Sequence, residues 1–272
     1  MRTHSPDAVS IIMPAYNPER TLAAAVNSVL AQSHTDWELI IIDDCSSDGT
    51  LKLAQLFAAR DGRIRVISNG ENSGAAAARH RGACAARHAW LAFLDSDDVW
   101  LPEKLERQLC LQLRSRADLI YTGSAFMDAD GHMLDWTLHV PEKITYRRLL
   151  HQNIISNSSV LIRRDCYLRH AVKDSGMHED FACWLGALRA GLSARGIDRP
   201  LIVYRLSGCS KSGNKLRSAK MNWNTYRALG LSFGKAICCM AFYTANGLRK
   251  YRHLRRKGAI HEDLFHQSSL QA

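Results

Sequence analysis

Short, largely apolar runs alternate with helical patterns through the first half of this chain, and that rhythm constrains the fold more than any other feature. Val9-Ser10-Ile11-Ile12-Met13 is the first run, and Pro14 is expected to stop it. Glu38 to Ile42, Arg63 to Ile67 and Trp90 to Leu94 follow. Runs this short with no helical period read as buried strands. Between them, Thr21 to Gln32 carries Leu22, Ala25, Val26, Val29 and Leu30 at i, i+3, i+4, i+7 and i+8, one apolar helix face. Asp48 or Thr50 is placed to cap a helix running to Ala59, and Gly74 to His88 is an Ala-rich helix. Pro102 to Arg114 adds a helix and Asp118 to Thr122 a strand. The alternation predicts an α/β fold, a mostly parallel sheet flanked by helices on both faces.

Beyond Thr122 the rhythm breaks. Asp128-Ala129-Asp130-Gly131 is a turn signal between short strands, and Ser158 to Arg163 is a strand candidate. Glu179 to Ala190 reads as a helix ended by Gly191, and Ser193 to Arg205 as one or two strands around Pro200. From Asn214 the pattern is helical to about Arg256. At 272 residues the chain can hold one large α/β domain with an appendage, or two small domains.

The polar residues that follow the strands carry the chemistry. Asp95-Ser96-Asp97-Asp98 leaves the run Trp90 to Leu94. Three acids in four residues repel one another unless a cation or ligand offsets them. Hard divalent cations that also hold phosphates use one or two carboxylates and leave positions for substrate, so a metal-assisted grip on a diphosphate is expected. The plainer alternative is a solvated acidic turn before Leu101-Pro102. Pro14-Ala15-Tyr16-Asn17 could hold a base or ribose, or be only a strand-to-helix turn. Asp43-Asp44 could accept from a pyrimidine N–H, or cap a helix. Asn72-Ser73-Gly74 opens a helix whose first amides favour phosphate, with Arg79 adding charge, although Arg79 could equally be a surface residue. Exits of successive strands in one sheet converge on a single crevice, which favours the ligand readings taken together. No dinucleotide glycine fingerprint and no P-loop occurs.

Charge is unevenly spread. Of 36 Lys and Arg residues, thirteen fall between Leu201 and Ile260, a stretch without Asp or Glu, leaving 23 basic against 26 acidic residues elsewhere. The net charge of +10 thus belongs to the C-terminal segment and suggests an anionic surface as its partner. Leu231 to Gly247 is apolar but interrupted by Lys235, short of the unbroken run of about 20 residues that spans a membrane. It reads as an interfacial helix, or as one whose Phe233, Ile237, Met240 and Phe242 pack on the rest of the chain. Nucleic acid could attract Arg249 to Lys257, but no aromatic platform accompanies them, so no nucleic-acid partner is expected. The eight cysteines include no C-x-x-C pair, which argues against zinc ribbons and suits a reducing cytosol. Met1 to Asp7 is short and polar, so no signal peptide is expected.

Val9 to Asn17, Glu38 to Asp44, Asn72-Ser73-Gly74 with Arg79, and Phe93 to Asp98 together resemble the successive blocks of family 2 glycosyltransferases with a GT-A, Rossmann-like fold. The resemblance covers Val9 to Asp118 and continues more loosely to Tyr204. It implies a domain over residues 1–206, with a donor half at about 9–118 and an acceptor half at about 119–206, followed by a basic helical extension at 207–272. It implies a nucleotide-sugar donor, usually a UDP-sugar, and Mg²⁺ or Mn²⁺. By residue it assigns Pro14, Ala15, Tyr16, Asn17, Asp44, Arg79, Asp95, Ser96 and Asp97 to the donor, with Asp97 as the direct metal ligand. Gly176 to Trp184 resembles the family's Glu-Asp acceptor motif, which makes Asp180 the general base of an inverting displacement and puts Glu179 and Trp184 on the acceptor side. The alternative for Glu179-Asp180 is an acidic first helical turn. The Q-x-x-R-W motif of processive members is absent. Tyr204 to Arg227 looks instead like members that add single sugars to lipid-linked intermediates of surface polysaccharides, which places the enzyme at the cytoplasmic face of a membrane. Two other readings compete: a phosphohydrolase with Asp95 as nucleophile and Asp97 as acid, and a catalytically silent module docking on membrane or polyanion.

Overall fold

The computed structural model describes residues 7–174, 176–206 and 215–254. Strand β1 (Val9–Ala15) is buried at every residue and lies between β2 (Trp37–Asp43) and β4 (Trp90–Phe93), parallel to both. β3 (Ile64–Ser68) adds a parallel edge beyond β2. Helices α1 (Leu22–Leu30), α2 (Thr50–Arg60) and α3 (Ala75–Ala85) make the connections. The period of two sorts the core. Val9, Ile11 and Met13 face one apolar layer with Val26 and Val29 of α1, whereas Ile12, Ile40 and Phe93 face the other with Ala78 and Ala83 of α3. On that second face a Cβ at Gly82 would collide with Ile12, so α3 lies as close to the sheet as a glycine permits.

The sequence expectation that Pro14 ends the first strand is corrected. β1 runs on to Ala15, and Pro14 pairs in register with Ile42. The Leu94 N–H bonds Ile12 O and the Asp44 N–H bonds Ala15 O, so Pro14 turns its nitrogen toward β4, which has already ended at Phe93. A proline whose missing N–H has no strand to serve costs the ladder nothing.

The second half is mixed, so the sheet is mostly parallel only at its first four strands. Among the described residues its main path is β3-β2-β1-β4-β8-β6-β9-β5. β8 (Leu161–Arg163) runs antiparallel to both β4 and β6 (Leu119–Met127), while β9 (Ala194–Arg205) is parallel to β6 and antiparallel to the two-residue β5 (Val99–Trp100). The expected turn at Asp128 joins β6 to β7 (Met133–Leu138) as a hairpin. The strand expected from Ser158 begins only at Leu161, because Asn157–Ser159 form a 3-10 turn. Helix α4 (Lys104–Ser115) follows β5, and α5 (Tyr146–His151), α6 (Arg164–His170) and α7 (Glu179–Arg189) complete this half.

One long C-terminal helix was the expectation; two occur. α8 (Lys215–Ala228) ends at Gly230, whose φ of 75° is left-handed, and α9 (Phe233–Leu254) restarts beyond it. The N–H groups of Gly230 and Leu231 reach back to Arg227 O and Tyr226 O, a Schellman stop that satisfies the last carbonyls. Tyr226 is buried and donates its hydroxyl to Leu150 O at 2.6 Å, and Ala236 and Cys239 join the same core. The outward side of α9 stays apolar, with Phe233 65%, Ile237 49% and Phe242 50% exposed. No described helix is long and apolar enough to cross a membrane. Arg255, Arg256 and Lys257, residues 207–214, and the side chains of Arg249, Lys250 and Arg252 lie outside the described residues.

Candidate active site

Asp44 follows β2 and is buried. One carboxylate oxygen accepts from Asn69 Nδ2 at 2.5 Å, Ser73 N at 3.0 Å and Ser73 Oγ at 2.8 Å, and the other from Gly74 N at 2.7 Å. Burial pushes this carboxyl up, but bonds from Ser73, Asn69 and Gly74 more than offset it and hold the group below the ordinary aspartate range. The Ser73 and Gly74 amides, which precede the first residue of α3, are thus occupied by Asp44. Beside it, Asn17 takes a left-handed φ of 55°, and its Oδ1 accepts from Ser47 N at 2.8 Å, which stitches the β1 exit to the β2 exit. Tyr16 stands 55% exposed above this seam.

The acidic segment after β4 divides by depth. Asp98 is buried, and its two oxygens accept from Ser158 Oγ at 2.6 Å and Arg205 N at 3.0 Å. Burial, then the charges of Asp97 and Asp95, raise its carboxyl well above the usual range. The Ser158 hydroxyl also accepts from Asp95 N at 3.1 Å, so one side chain pins the start and end of the acidic segment. Ser158 and Ser159 are themselves held through their carbonyls, by Trp100 Nε1 at 2.9 Å and Gln108 Nε2 at 2.8 Å. Neither partnership carried a signal in the sequence, because Ser158 comes from the 3-10 turn before β8 and Arg205 from the end of β9, both distant along the chain.

Asp97 differs from its neighbours. No side-chain donor among the described residues bonds its carboxylate, and burial, followed by the Asp95 charge, pushes its pKa up to about 6. A half-buried hard-oxygen ligand short of counter-charge fits a divalent cation. A second acidic group, Asp128, Asp130 and His132, lies at the β6–β7 turn, where Asp128 already accepts from the Asp130 and His132 amides.

Arg79 was expected to offer its charge to the donor. Its guanidinium is instead committed to protein carboxylates, Nη2 to Asp95 Oδ1 and Nη1 to Glu179 Oε1, both at 2.6 Å. Asp95 and Glu179 raise its pKa against the opposing effect of burial. Arg79 therefore ties the strand-exit acids to the first turn of α7. The next residue, Asp180, is half-buried and accepts from Phe181 N at 2.7 Å. Burial first, then the Glu179 charge, raise its pKa. The preceding segment is held by α8: His178 N donates to Thr225 Oγ1 at 3.3 Å, His178 Nε2 lies 3.1 Å from Ser218 Oγ, and Asn224 Nδ2 donates to Gly176 O at 2.8 Å.

These parts line one cleft of about 890 Å³. Pro14, Ala15, Tyr16, Asn17, Asp44, Arg79, Asp95, Ser96 and Asp97 line it together with Glu179 and Asp180. Asn157, Asn222 and Tyr243, from the 3-10 turn, α8 and α9, extend the lining. Trp184 is the exception to the expected set. It is fully buried, its ring centroid 6.3 Å from Phe93 and 6.4 Å from Tyr167, because it lies on the side of α7 that packs on the sheet.

Residues 10–167 match the sequence model of a family described as glycosyl transferase family 2. TuaG of Bacillus subtilis (strain 168), named for teichuronic acid biosynthesis, is 40% identical over 243 residues, 89% of this chain and 96% of that protein. WfgD of Escherichia coli, named a UDP-Glc:alpha-D-GlcNAc-diphosphoundecaprenol beta-1,3-glucosyltransferase, is 36% identical over 79% of this chain and 84% of its own length. Among solved structures, residues 1–349 of S. aureus TarS in complex with UDP-GlcNAc superimpose with a TM-score of 0.69 at 16% identity, covering 90% of this chain and 73% of that one.

Proposed function

Because the chain belongs to glycosyl transferase family 2, we propose that it moves a sugar from a UDP-sugar to a hydroxyl of a lipid-linked saccharide, with inversion, during assembly of a cell-surface polysaccharide. The observation that carries this reading is the one cleft lined by both Asp97 and Asp180, whose neighbours Asp95 and Glu179 are bridged by Arg79. The relatives' names, which include a UDP-glucose donor and a diphosphoundecaprenol-linked acceptor, support the substrate classes.

In this reading Tyr16, Asn17 and Asp44 receive the nucleoside, and Asp95, Ser96 and Asp97 receive the diphosphate end. Mg²⁺ or Mn²⁺ held by Asp97 would offset charge on the leaving diphosphate. Asp180 takes the proton of the acceptor hydroxyl as that oxygen attacks the anomeric carbon and the bond to UDP breaks. A sugar hydroxyl is a poor nucleophile at neutral pH, so the positioned base matters. A carboxyl raised by burial is a better proton acceptor than a solvated aspartate, and the first turn of α7 holds it in place. Glu179, bonded to Arg79, shapes the acceptor side. Residues 1–206 serve as the catalytic domain in this scheme. The basic extension from residue 207 holds the enzyme against the anionic cytoplasmic face of a membrane, where lipid-linked acceptors lie.

The test is release of sugar from a panel of nucleotide sugars with Mn²⁺, repeated with a polyprenyl-diphosphate-linked saccharide. Hydrolysis of a UDP-sugar, accelerated transfer to the lipid-linked acceptor and inverted product stereochemistry are expected. No turnover of any nucleotide sugar would remove the proposal.

A further inference from the structure

A second cavity, of about 290 Å³, abuts the cleft and shares Leu138, Gln152 and Ile154 with it. None of the strand-exit acids lines it. Its polar side chains include His139, Arg148, His151 and Asn246, all able to donate hydrogen bonds. Arg148 is exposed at the last turn of α5, and among the described residues it forms no ion pair, unlike Arg79. Asp198, the carboxylate beside His139, is engaged by His139 Nδ1 at 3.1 Å and accepts from Val140 N at 2.9 Å. A concave site of donors with an uncommitted guanidinium suits a phosphate group, which arginine binds through paired N–H groups.

What lies beyond this cavity identifies the phosphate. The His151 ring packs against Phe242 with centroids 4.8 Å apart, and Asn246 donates to His151 O at 3.2 Å, so α9 forms the far rim. Phe242 belongs to the apolar outward side of that helix, with Ile237. Hydroxyl chemistry, cationic pocket and apolar helix face therefore follow one another along the molecule. A saccharide, a phosphate and a hydrocarbon chain follow one another in the same order in a lipid-linked acceptor. We infer that the small cavity binds the phosphate group joining the acceptor saccharide to its lipid. The inference rests on the acceptor being lipid-linked and adds the residues that recognise the linkage.

The probe is farnesyl diphosphate, with farnesol as its uncharged counterpart, titrated calorimetrically into the full chain with UDP and Mn²⁺ saturating the donor end. Farnesyl diphosphate should bind the native protein. Arg148→Gln should weaken that binding by about 10- to 100-fold, the range for a hydrogen bond to a charged group. Arg148→Lys should recover most of it, and farnesol binding and UDP affinity should be the same in all three proteins. Sedimentation with phosphatidylglycerol vesicles separates the other source of phosphate. Loss of vesicle binding in Arg148→Gln, with farnesyl diphosphate unaffected, would make the cavity a headgroup site and overturn the inference. So would absence of farnesyl diphosphate binding in the native protein. The expected pattern in a protein that hydrolyses no nucleotide sugar would support the pocket and sink the transferase reading. Intact hydrolysis with binding indifferent to Arg148 would sink the pocket alone.

Discussion

Arg79 and Glu179, one hundred residues apart in the chain, are joined by a 2.6 Å hydrogen bond from Nη1 to Oε1 inside the cleft. The other arm of the same guanidinium holds Asp95, so two carboxylates, one after β4 and one at the start of α7, depend on one cation. Removing one partner from a buried pair strands the charges left behind. Arg79→Ala is expected to destabilise the unliganded protein by about 3–5 kcal/mol in urea unfolding. Arg79→Lys should fall between, since a single ammonium cannot reproduce the fork. A midpoint unchanged in both would show that the bridge contributes nothing to stability.

Asp97→Asn should abolish Mn²⁺-dependent UDP binding in calorimetry. The native protein's Mn²⁺ affinity should climb as pH rises through about 6, because burial and Asp95 hold the Asp97 proton on to that point and it must leave before a cation binds. Equal UDP affinity with and without Mn²⁺ would remove the metal from the scheme.

Asp180→Asn is expected to leave donor affinity intact and lower turnover by about 10²–10⁴-fold, the usual worth of a positioned base. The native carboxyl is raised by burial and by Glu179, so it stays protonated to higher pH than a solvated aspartate. Turnover should accordingly fall, as pH is lowered, above the ordinary aspartate range. Glu179→Gln removes a like charge and should move that limb to lower pH. A limb that stays put would separate Asp180 from the titration.

Asp44→Ala should loosen the turn from Asn69 to Gly74, since it leaves two backbone N–H groups without their acceptor. A loss of about 1–3 kcal/mol is expected for a buried donor left unpaired. The sign of the pH effect follows from the depressed carboxyl. Its stabilisation is present above the unfolded aspartate pKa and is lost as pH falls through the lower folded value. Acid unfolding of Asp44→Ala should therefore show a shallower pH dependence than the native protein. Superimposable curves would show that the four bonds are not worth their count.

Phe233→Ser with Ile237→Ser should reduce co-sedimentation with anionic vesicles while leaving thermal stability nearly unchanged, because both side chains are largely exposed. Sedimentation independent of anionic lipid would return α9 to a purely structural role.

The parallel half of the fold was legible because β1, β2 and β4 are buried at every residue and α1 carries one apolar face. Those signals lie within a dozen residues. The positions of Asp95, Asp97 and Asp180 along the chain were legible for the same reason, as short polar segments at element ends. Which partner each acid takes was not. Asp44 turns back onto the Ser73 and Gly74 amides, and Arg79 reaches Glu179, through contacts that exist only once the sheet has formed. Trp184 shares a motif with Asp180 and lies on the same side of α7, but one turn further along the helix, where that side packs on Phe93 and Tyr167, a matter of depth that adjacency in sequence conceals. The Gly230 stop was readable as a left-handed helix terminus, yet the helical pattern on either side of it masked the break.

The early end of β4 has a consequence of scale. β1 continues for three residues beyond Ile12, the partner of β4's last residue, Phe93. At about 3.3 Å per residue the sheet therefore steps down by roughly 10 Å between two neighbouring strands. The acidic segment starts on the lower tread of that stair, with Pro14 and Ala15 as its riser. Strand length thus acts as a depth gauge for the site. Lengthening β4 by two residues, with every side chain around the cleft preserved, would raise the carboxylates toward the rim and leave a sugar nucleotide no step to stand in.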